Sequence, residues 1–158
     1  MRCSIAYSYS EKIADYNNSF RATLQTNIHS CINQGYNSFF FNCYDDITVS
    51  AAEIICCIKD IYNIKMNIVI PYKNICRQWD DKTNNKFAFI QKNADSFIIA
   101  SLEPDFAAFQ RADEIITSNS DMILILNIKT SYSYNLKYAQ KYNVRVCYGD
   151  SLIYTWLA

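Results

Sequence analysis

Six short apolar segments that alternate with amphipathic stretches constrain the fold of this chain more than any other feature. The apolar segments have the length and composition of β-strands, and the stretches between them repeat apolar residues at helical spacing. The predicted strands are residues 3–7, 38–42, 66–70, 96–100, 122–126 and 144–147. Because such short helical connections join parallel neighbours, we predict an α/β fold with a doubly wound, mostly parallel sheet, a Rossmann-like three-layer sandwich.

The stretch 38–53 leads from one of these strands through a polar loop into a helix. Three consecutive phenylalanines, residues 39–41, predict a strand that is buried on both faces. Ser50-x-x-Glu53 has the spacing of a capping box, which predicts that the next helix starts there. Loop 42–48 would then lie at the carboxyl edge of the sheet, where open α/β sheets bind ligands. The alternative is an ordinary connection without a ligand.

Glycine and proline mark the ends of other elements. Gly35 predicts the end of a first helix over residues 19–34. Pro104-Asp105 predicts the start of a later helix, with Asp105 as its N-cap. The inward face of that helix is predicted to consist of Phe106, Phe109, Ala112 and Ile116.

Pro71 is predicted to stop the third strand and to deliver Tyr72 to the carboxyl edge of the sheet. A tyrosine at that edge can stack on a planar ligand. The alternative is a turn proline followed by a tyrosine that only packs.

Length and charge restrict the function classes. The chain has 158 residues, so we predict a single domain over residues 1–158. Fifteen basic residues balance fifteen acidic ones, and we therefore predict no nucleic-acid partner and no membrane partner. No apolar run approaches the roughly 20 residues of a membrane span, and the first residues lack signal-peptide character, which predicts a soluble cytoplasmic protein.

Cysteine and glycine usage restricts the chemistry. The seven cysteines form no C-x-x-C pair, and the single histidine has no neighbouring ligand pair, so we predict reduced core thiols, no metal site and no cofactor. Only Gly35 and Gly149 occur, whereas average usage of about 7% would supply roughly eleven glycines. Glycine-rich phosphate loops of the G-x-G-x-x-G or Walker type are therefore absent.

Several short motifs, taken in order, resemble a known family. Val69-Ile70-Pro71-Tyr72 is followed by Trp79 eight residues after the proline, and Ala51-Ala52-Glu53 stands where the second helix is expected to open. Asn93-Ala94-Asp95, Ser120-Asp121 and Tyr138-Ala139 precede later strands. This order resembles the SLOG superfamily, specifically its YpsA-like single-domain branch. The resemblance implies a Rossmann-like nucleotide pocket, which some relatives use for sensing and others for hydrolysing nucleoside monophosphates.

The departures from the family pattern fall in the loops and on the fourth helix, at positions that the resemblance assigns to the ligand. Where the branch has glycines, an aspartate and an arginine-asparagine pair, this chain has other residues, and a Cβ in such a loop blocks the close approach of a phosphate. The ligand-binding residues that the resemblance implies are Tyr7, Ser8, Tyr9, Asn42, Cys43, Asp46, Thr48, Glu53, Pro71, Tyr72, Trp79, Arg111, Asp113, Thr130, Ser131 and Tyr132. No catalytic residue is assigned.

Three functions remain open. The first is non-catalytic binding of a nucleotide-derived small molecule by tyrosine, hydroxyl and amide groups, with Arg111 as the charge for a phosphate. The second is a protein-interaction or self-assembling module, including a homo-oligomer, since aromatic residues make up 15% of the chain. The third is hydrolysis of nucleoside monophosphates, with Asp45, Asp46 or Glu53 as general base or nucleophile. It is disfavoured because no acidic residue occurs between Asp121 and Asp150, where the resemblance requires one.

Overall fold

The apolar segments pair side by side as one parallel sheet with helices on both faces. The computed structural model describes residues 1–7, 18–44, 46–126 and 134–149. The strands are β1 (Arg2–Tyr7), β2 (Ser38–Phe41), β3 (Lys65–Tyr72), β4 (Ser96–Ser101), β5 (Met122–Leu126) and β6 (Arg145–Tyr148). The helices are α1 (Asn18–Asn33), α2 (Asp46–Tyr62), α3 (Asp81–Asn93), α4 (Phe106–Ser118) and α5 (Tyr134–Tyr142), with a 3-10 turn at Ile75–Gln78. The predicted fold class is confirmed.

The order of the strands places β1 in the interior of the sheet. The order is β4-β3-β2-β1-β5-β6, and every recorded pairing is parallel. The chain builds outward from β1 to β4 and then returns to add β5 on the other side of β1. In open α/β sheets this reversal creates a crevice at the carboxyl ends of the two strands concerned. Here those strands are β1 and β5, whose last residues, Tyr7 and Leu126, are paired.

The side chains of the strands alternate between two helical layers. Phe39 and Phe41 pack with α1, α2 and α3, whereas Phe40 packs with α4. Ala6, Ile123 and Ile125 pack with Ala139 of α5. All three phenylalanines of β2 are buried, so the prediction of a strand covered on both faces is confirmed. Among the described residues, no helix is long and apolar enough to cross a membrane.

The second helix begins earlier than its capping motif predicts. Helix α2 starts at Asp46, so Ser50 and Glu53 lie inside it and the capping-box prediction is wrong. Thr48, Val49 and Ser50 are all buried. Burial of this first turn stabilises helix upstream of the motif, because tertiary packing outweighs local capping preference.

The third strand continues through its proline. Strand β3 runs to Tyr72, which pairs with Ser101, so the prediction that Pro71 stops the strand is wrong. Strand β2 ends at Phe41, opposite Ile68. Beyond that point β3 has a neighbour only on the β4 side, so a residue without an N–H is tolerated.

The caps predicted from single residues are formed. Asp105 accepts a hydrogen bond from the Ala108 N–H at 2.6 Å and caps α4. Gly35 follows α1 with φ of +90°, the left-handed conformation that favours glycine. The inward face of α4 is confirmed for Ala112 and Ile116 but is wrong for Phe106, which is 69% exposed because it is the first residue of the helix.

Candidate ligand-binding site

All the strands are parallel, so the residues that follow them meet at one edge of the sheet. Tyr7 is the last residue of β1, at the centre of this carboxyl edge. The predicted site residues Ser8, Tyr9, Thr130, Ser131 and Tyr132 lie outside the described residues. The described part of the site is therefore formed by the segments after β2, β3 and β4 and by the first turns of α4.

Three aromatic rings and a carboxylate come together at this edge, and we call them the rim cluster: Tyr44, Tyr72, Phe109 and Asp113. The ring of Phe109 meets that of Tyr44 edge to face, with centroids 5.3 Å apart, and that of Tyr72 at 5.9 Å. The Tyr44 hydroxyl donates a hydrogen bond to Asp113 Oδ1 at 3.2 Å. The cluster therefore links the loop after β2, the end of β3 and helix α4.

Two residues beside Tyr44 have unusual environments. Asn42 is 4% exposed, and its amide oxygen has no hydrogen-bond partner in the described structure. A buried acceptor of this kind costs about 1–3 kcal/mol unless something donates to it. Cys43 is fully buried and has φ of +50°, a conformation that glycine adopts most easily. The loop therefore holds a glycine-like backbone without a glycine.

Arg111 is already engaged within the protein. Its guanidinium donates to Ser101 Oγ at 2.8 Å and to Asp105 Oδ1 at 2.9 Å. Asp105 is also the N-cap of α4, so this network ties the segment after β4 to the helix. Arg111 was predicted to supply the charge for a phosphate. In the structure its charge is balanced by a carboxylate, which leaves less of it for a ligand.

Two predicted site residues make side-chain contacts with helices α1 and α3. Glu53 forms ion pairs with Arg21 of α1 and Lys86 of α3, each at 3.3 Å, on the face covered by α1, α2 and α3. Trp79 packs edge to face on Phe87 at 5.2 Å.

Three further predicted site residues lie in helix α2 or strand β3. Thr48 is fully buried in α2, and Pro71 is buried in β3. Asp46 is the first residue of α2. Of the predicted set, Tyr72 and Asp113 belong to the rim cluster, and Asn42 and Cys43 directly precede its Tyr44 in the chain.

Sequence reasoning missed two members of the rim cluster. Tyr44 lies inside the loop that the sequence assigned to the ligand, between predicted site residues. Phe109 was placed on the inward face of α4, but it is one helical turn from Asp113 and therefore shares its face. Because residues four apart share a helix face, Phe109 could have been predicted from Asp113.

The described residues form no metal-binding group, and two of their cysteines are poor nucleophiles. No group of three or more His, Cys, Asp or Glu side chains among them is placed to hold a metal ion. Burial raises the pKa of the Cys3 thiol, and burial also raises the pKa of Cys56 to about 11. A thiol is a nucleophile mainly as thiolate, so a raised pKa makes Cys3 and Cys56 weak nucleophiles near neutral pH.

A shallow pocket adjoins the rim cluster between the segments that follow β3 and β4. It has a volume of about 250 Å³ and shares Tyr72 with the rim cluster. Its lining includes Tyr72, Lys73, Ile75, Arg77, Leu102 and Pro104. We call it the β3–β4 pocket.

The comparison that decides the family covers nearly the whole chain. A model described as the YspA SLOG family matches residues 9–155. The chain belongs to the YspA SLOG family. The resemblance seen in the sequence is therefore confirmed.

Two other proteins are similar to this YspA SLOG member, one in sequence and one in structure. A UPF0398 protein of Lactobacillus acidophilus is 28% identical over 110 residues, which are 65% of this chain and 58% of that protein. DNA processing protein A from Helicobacter pylori, a structure described for its unique single-stranded DNA binding mode, matches with a TM-score of 0.61 and 14% identity. The match covers 94% of this chain and 64% of that one, and it shows a shared fold. The chain spans less than two thirds of either protein.

The prediction that excluded nucleic acid as a partner is wrong. It rested on the balance of fifteen basic and fifteen acidic residues. A protein with the same fold binds single-stranded DNA. Balanced charge describes a whole chain, whereas nucleic acid is bound by a local group of cations and rings, so overall neutrality does not exclude it for a YspA SLOG protein.

Proposed function

We propose that this YspA SLOG protein binds a nucleotide-derived small molecule at the carboxyl edge of its sheet and does not transform it. The observation that carries the proposal is the buried amide oxygen of Asn42, which lacks a donor and belongs to the loop that also carries Tyr44 of the rim cluster. A nucleobase suits this place, since its ring packs on aromatic side chains and its exocyclic amino group donates a hydrogen bond; because the Asn42 oxygen is buried, a local movement of the loop has to expose it to the ligand.

The proposal of binding without catalysis rests on the engagement of the acids in this region. Asp113 accepts from Tyr44, Asp105 caps α4 and pairs with Arg111, and Glu53 is held by two cations. A general base has to reach the proton that it removes. Carboxylates held in these contacts are better suited to position a ligand or the fold.

A second candidate is the binding of single-stranded nucleic acid. It is supported by the fold shared with DNA processing protein A and by the exposed cations Lys73 and Arg77 near the aromatic rim. Cations that follow a backbone, together with rings that stack on bases, are the usual elements of single-strand binding. Both candidates require recognition of a nucleotide unit, and they differ in whether that unit is free or part of a strand.

Thermal unfolding with a panel of ligands tests both candidates. The panel contains mononucleotides, dinucleotides, cyclic nucleotides and a short single-stranded oligonucleotide. A ligand at a hundred times its Kd adds about 2.7 kcal/mol, which raises the Tm of a chain of this size by about 5–10 °C. A shift with free nucleotides supports the first candidate, and a shift with the oligonucleotide alone supports the second. No shift with any member of the panel contradicts both.

The variant Asn42→Leu locates the site. It removes the unpartnered oxygen and keeps the side-chain volume, so the free protein should remain folded while the ligand-induced shift falls. Asn119→Ala is the matched control, because Asn119 lies at the C-terminal end of α4, away from the carboxyl edge. An unchanged ligand shift in Asn42→Leu would place the ligand elsewhere.

A further inference from the structure

The pocket next to the rim cluster has the charge of an anion site. Lys73 and Arg77 both line the β3–β4 pocket, and both side chains are exposed. In the part of the chain that the structure describes, neither forms an ion pair. Among the described residues, no carboxylate lines the pocket. Lys73 and Arg77 therefore line one pocket in which no described acid pairs with either of them.

The described acids near the pocket form no ion pair with these cations. Glu103 lies between two lining residues, but it is exposed and is not part of the lining. Asp105 is occupied by Arg111 at 2.9 Å and by its own helix cap. Asn74 also lines the pocket, and its side chain makes no capping hydrogen bond to the 3-10 turn. Its amide is a neutral donor beside the two cations.

The remaining wall of the pocket is apolar. Ile75 is buried, Leu102 is 91% exposed at the opening, and Tyr72 and Pro104 complete the wall. The volume of about 250 Å³ is smaller than the roughly 300–1,000 Å³ of pockets that enclose a whole small molecule. The pocket therefore suits one end of a ligand, an anionic group with a short apolar or ring-shaped attachment.

We propose that the β3–β4 pocket binds the phosphate of a nucleotide through Lys73 and Arg77, while the base of the same nucleotide lies on the rim cluster. This assignment rests on the proposed function, because it assumes that the ligand carries a nucleotide unit. Tyr72 belongs to both places, so one ligand can span them. Side-chain cations in this pocket take the role that backbone N–H groups play in glycine-rich phosphate loops, which this chain lacks.

The test compares a nucleoside with its 5′-monophosphate by titration calorimetry. In the unmodified protein the monophosphate should bind at least about tenfold more tightly than the nucleoside, because charge-assisted hydrogen bonds to phosphate are stronger than neutral ones. In the double variant Lys73→Gln/Arg77→Gln this preference should fall to about twofold or less, and the affinity for the nucleoside should stay the same.

A matched double variant controls for the lost charge. Lys65→Gln/Lys92→Gln removes two positive charges from the start of β3 and the end of α3, at the opposite edge of the sheet. It should keep the preference for the monophosphate. A preference that is equal in both double variants would overturn the phosphate assignment and leave nucleotide binding intact. Absence of binding by nucleoside and monophosphate alike would overturn the proposed function and this assignment together.

An oligonucleotide separates the two sources of the phosphate. A single strand with a 5′-phosphate is compared with the same strand without it. Tighter binding of the phosphorylated strand, lost in Lys73→Gln/Arg77→Gln, assigns the pocket to a strand end. Equal binding of the two strands, together with the monophosphate preference, assigns it to free nucleotides.

Discussion

At the scale of single residues, two aspartates show that a family motif can serve the fold. Asp121, before β5, accepts a hydrogen bond from the Arg2 N–H at 2.7 Å and pairs with its guanidinium at 2.9 Å. Asp95, before β4, accepts from the Met66 N–H and from Lys59 Nζ, each at 2.8 Å. Each carboxylate joins the start of one strand to its neighbour, at the edge of the sheet opposite the proposed ligand.

The hydrogen bonds to Asp95 make the stability of the protein depend on pH. Burial alone would raise the pKa of the Asp95 carboxyl, but the hydrogen bonds from Lys59 and Met66 outweigh it and the pKa is lowered. A lowered pKa contributes stability above the unfolded pKa of about 3.9, and this contribution is lost as the pH falls through the folded pKa. Asp95→Ala should therefore cost about 1 kcal/mol at pH 7 and less near pH 2.5, below the unfolded pKa.

Urea denaturation at the two pH values measures this difference. Asp60→Ala is the control, because Asp60 is an exposed carboxylate on α2, and it should change the free energy of unfolding by less than about 0.5 kcal/mol. An equal cost for Asp95→Ala at both pH values would mean that the charge of Asp95 is not what stabilises the fold.

The backbone at Cys43 predicts an unusual order of stability for two variants. At an ordinary buried position valine stabilises more than alanine, because it buries more apolar surface. Cys43 has φ of +50°, where a β-branched side chain is strained. Cys43→Val should therefore be less stable than Cys43→Ala by about 1–2 kcal/mol. Chemical denaturation measures the difference, and a more stable valine variant would show that the loop is not held in this conformation.

At the scale of elements, the residues that follow two helices allow the effect of backbone conformation on stability to be measured separately from that of side-chain packing. Asn63 and Asn143 follow α2 and α5 with φ of +50° and +53°, as Gly35 follows α1. Asn63 is exposed, so its replacement changes few contacts. Asn63→Gly should raise the free energy of unfolding by about 0.5–1 kcal/mol, since glycine adopts this conformation without strain. Asn63→Ala should lower it by a similar amount.

The same substitution at a helical position should have the opposite effect. Asn93 is the last residue of α3, and its side chain donates to the Phe89 carbonyl at 2.8 Å. Asn93→Gly should lower the free energy of unfolding by about 1 kcal/mol. Thermal or urea denaturation of the two glycine variants gives the comparison. Destabilisation by glycine at position 63 as well would rule out the left-handed cap after α2.

The sequence predicted the elements better than their ends. All six strands were predicted because apolar runs and helical spacing are local properties of the chain. The start of α2 was wrong because burial of Thr48 and Val49 overrides the capping motif, and the end of β3 was wrong because the position of β2 decides whether Pro71 is tolerated. Neither fact is present in local sequence.

The candidate site follows the same rule. The resemblance implied Asn42, Cys43, Tyr72 and Asp113; Tyr72 and Asp113 belong to the rim cluster, and Asn42 and Cys43 directly precede its Tyr44. The engagement of Glu53 by Arg21 and Lys86 depends on the packing of three helices, so the sequence alone gave no sign of it. The charged lining of the β3–β4 pocket likewise depends on two segments that only the sheet brings together.

At the scale of the whole molecule, the two helical layers share one sheet and should unfold together. Ile123 faces the layer of α5 and Leu124 faces the layer of α1 to α3, and both are fully buried. Ile123→Ala and Leu124→Ala should each cost about 2–5 kcal/mol in the free energy of unfolding.

Two probes of unfolding test whether the layers unfold together. In a Trp156→Phe variant Trp79 is the only tryptophan, so the fluorescence of Trp79 and the far-UV circular dichroism of the whole protein should show the same transition. Separate transitions would mean that the layers unfold independently.

Because the chain returns to the middle of its sheet, β1 gains its second neighbouring strand only after β2, β3 and β4 have been synthesised. Strand β1 is synthesised before the other strands of this sheet, but its partner β5 begins at Met122, 120 residues after the start of β1 at Arg2. Until then one side of β1 has exposed backbone donors and acceptors, which attract other strands. A nascent chain halted after β4 should consequently stay bound to chaperones, and release should coincide with the appearance of residues 122–126.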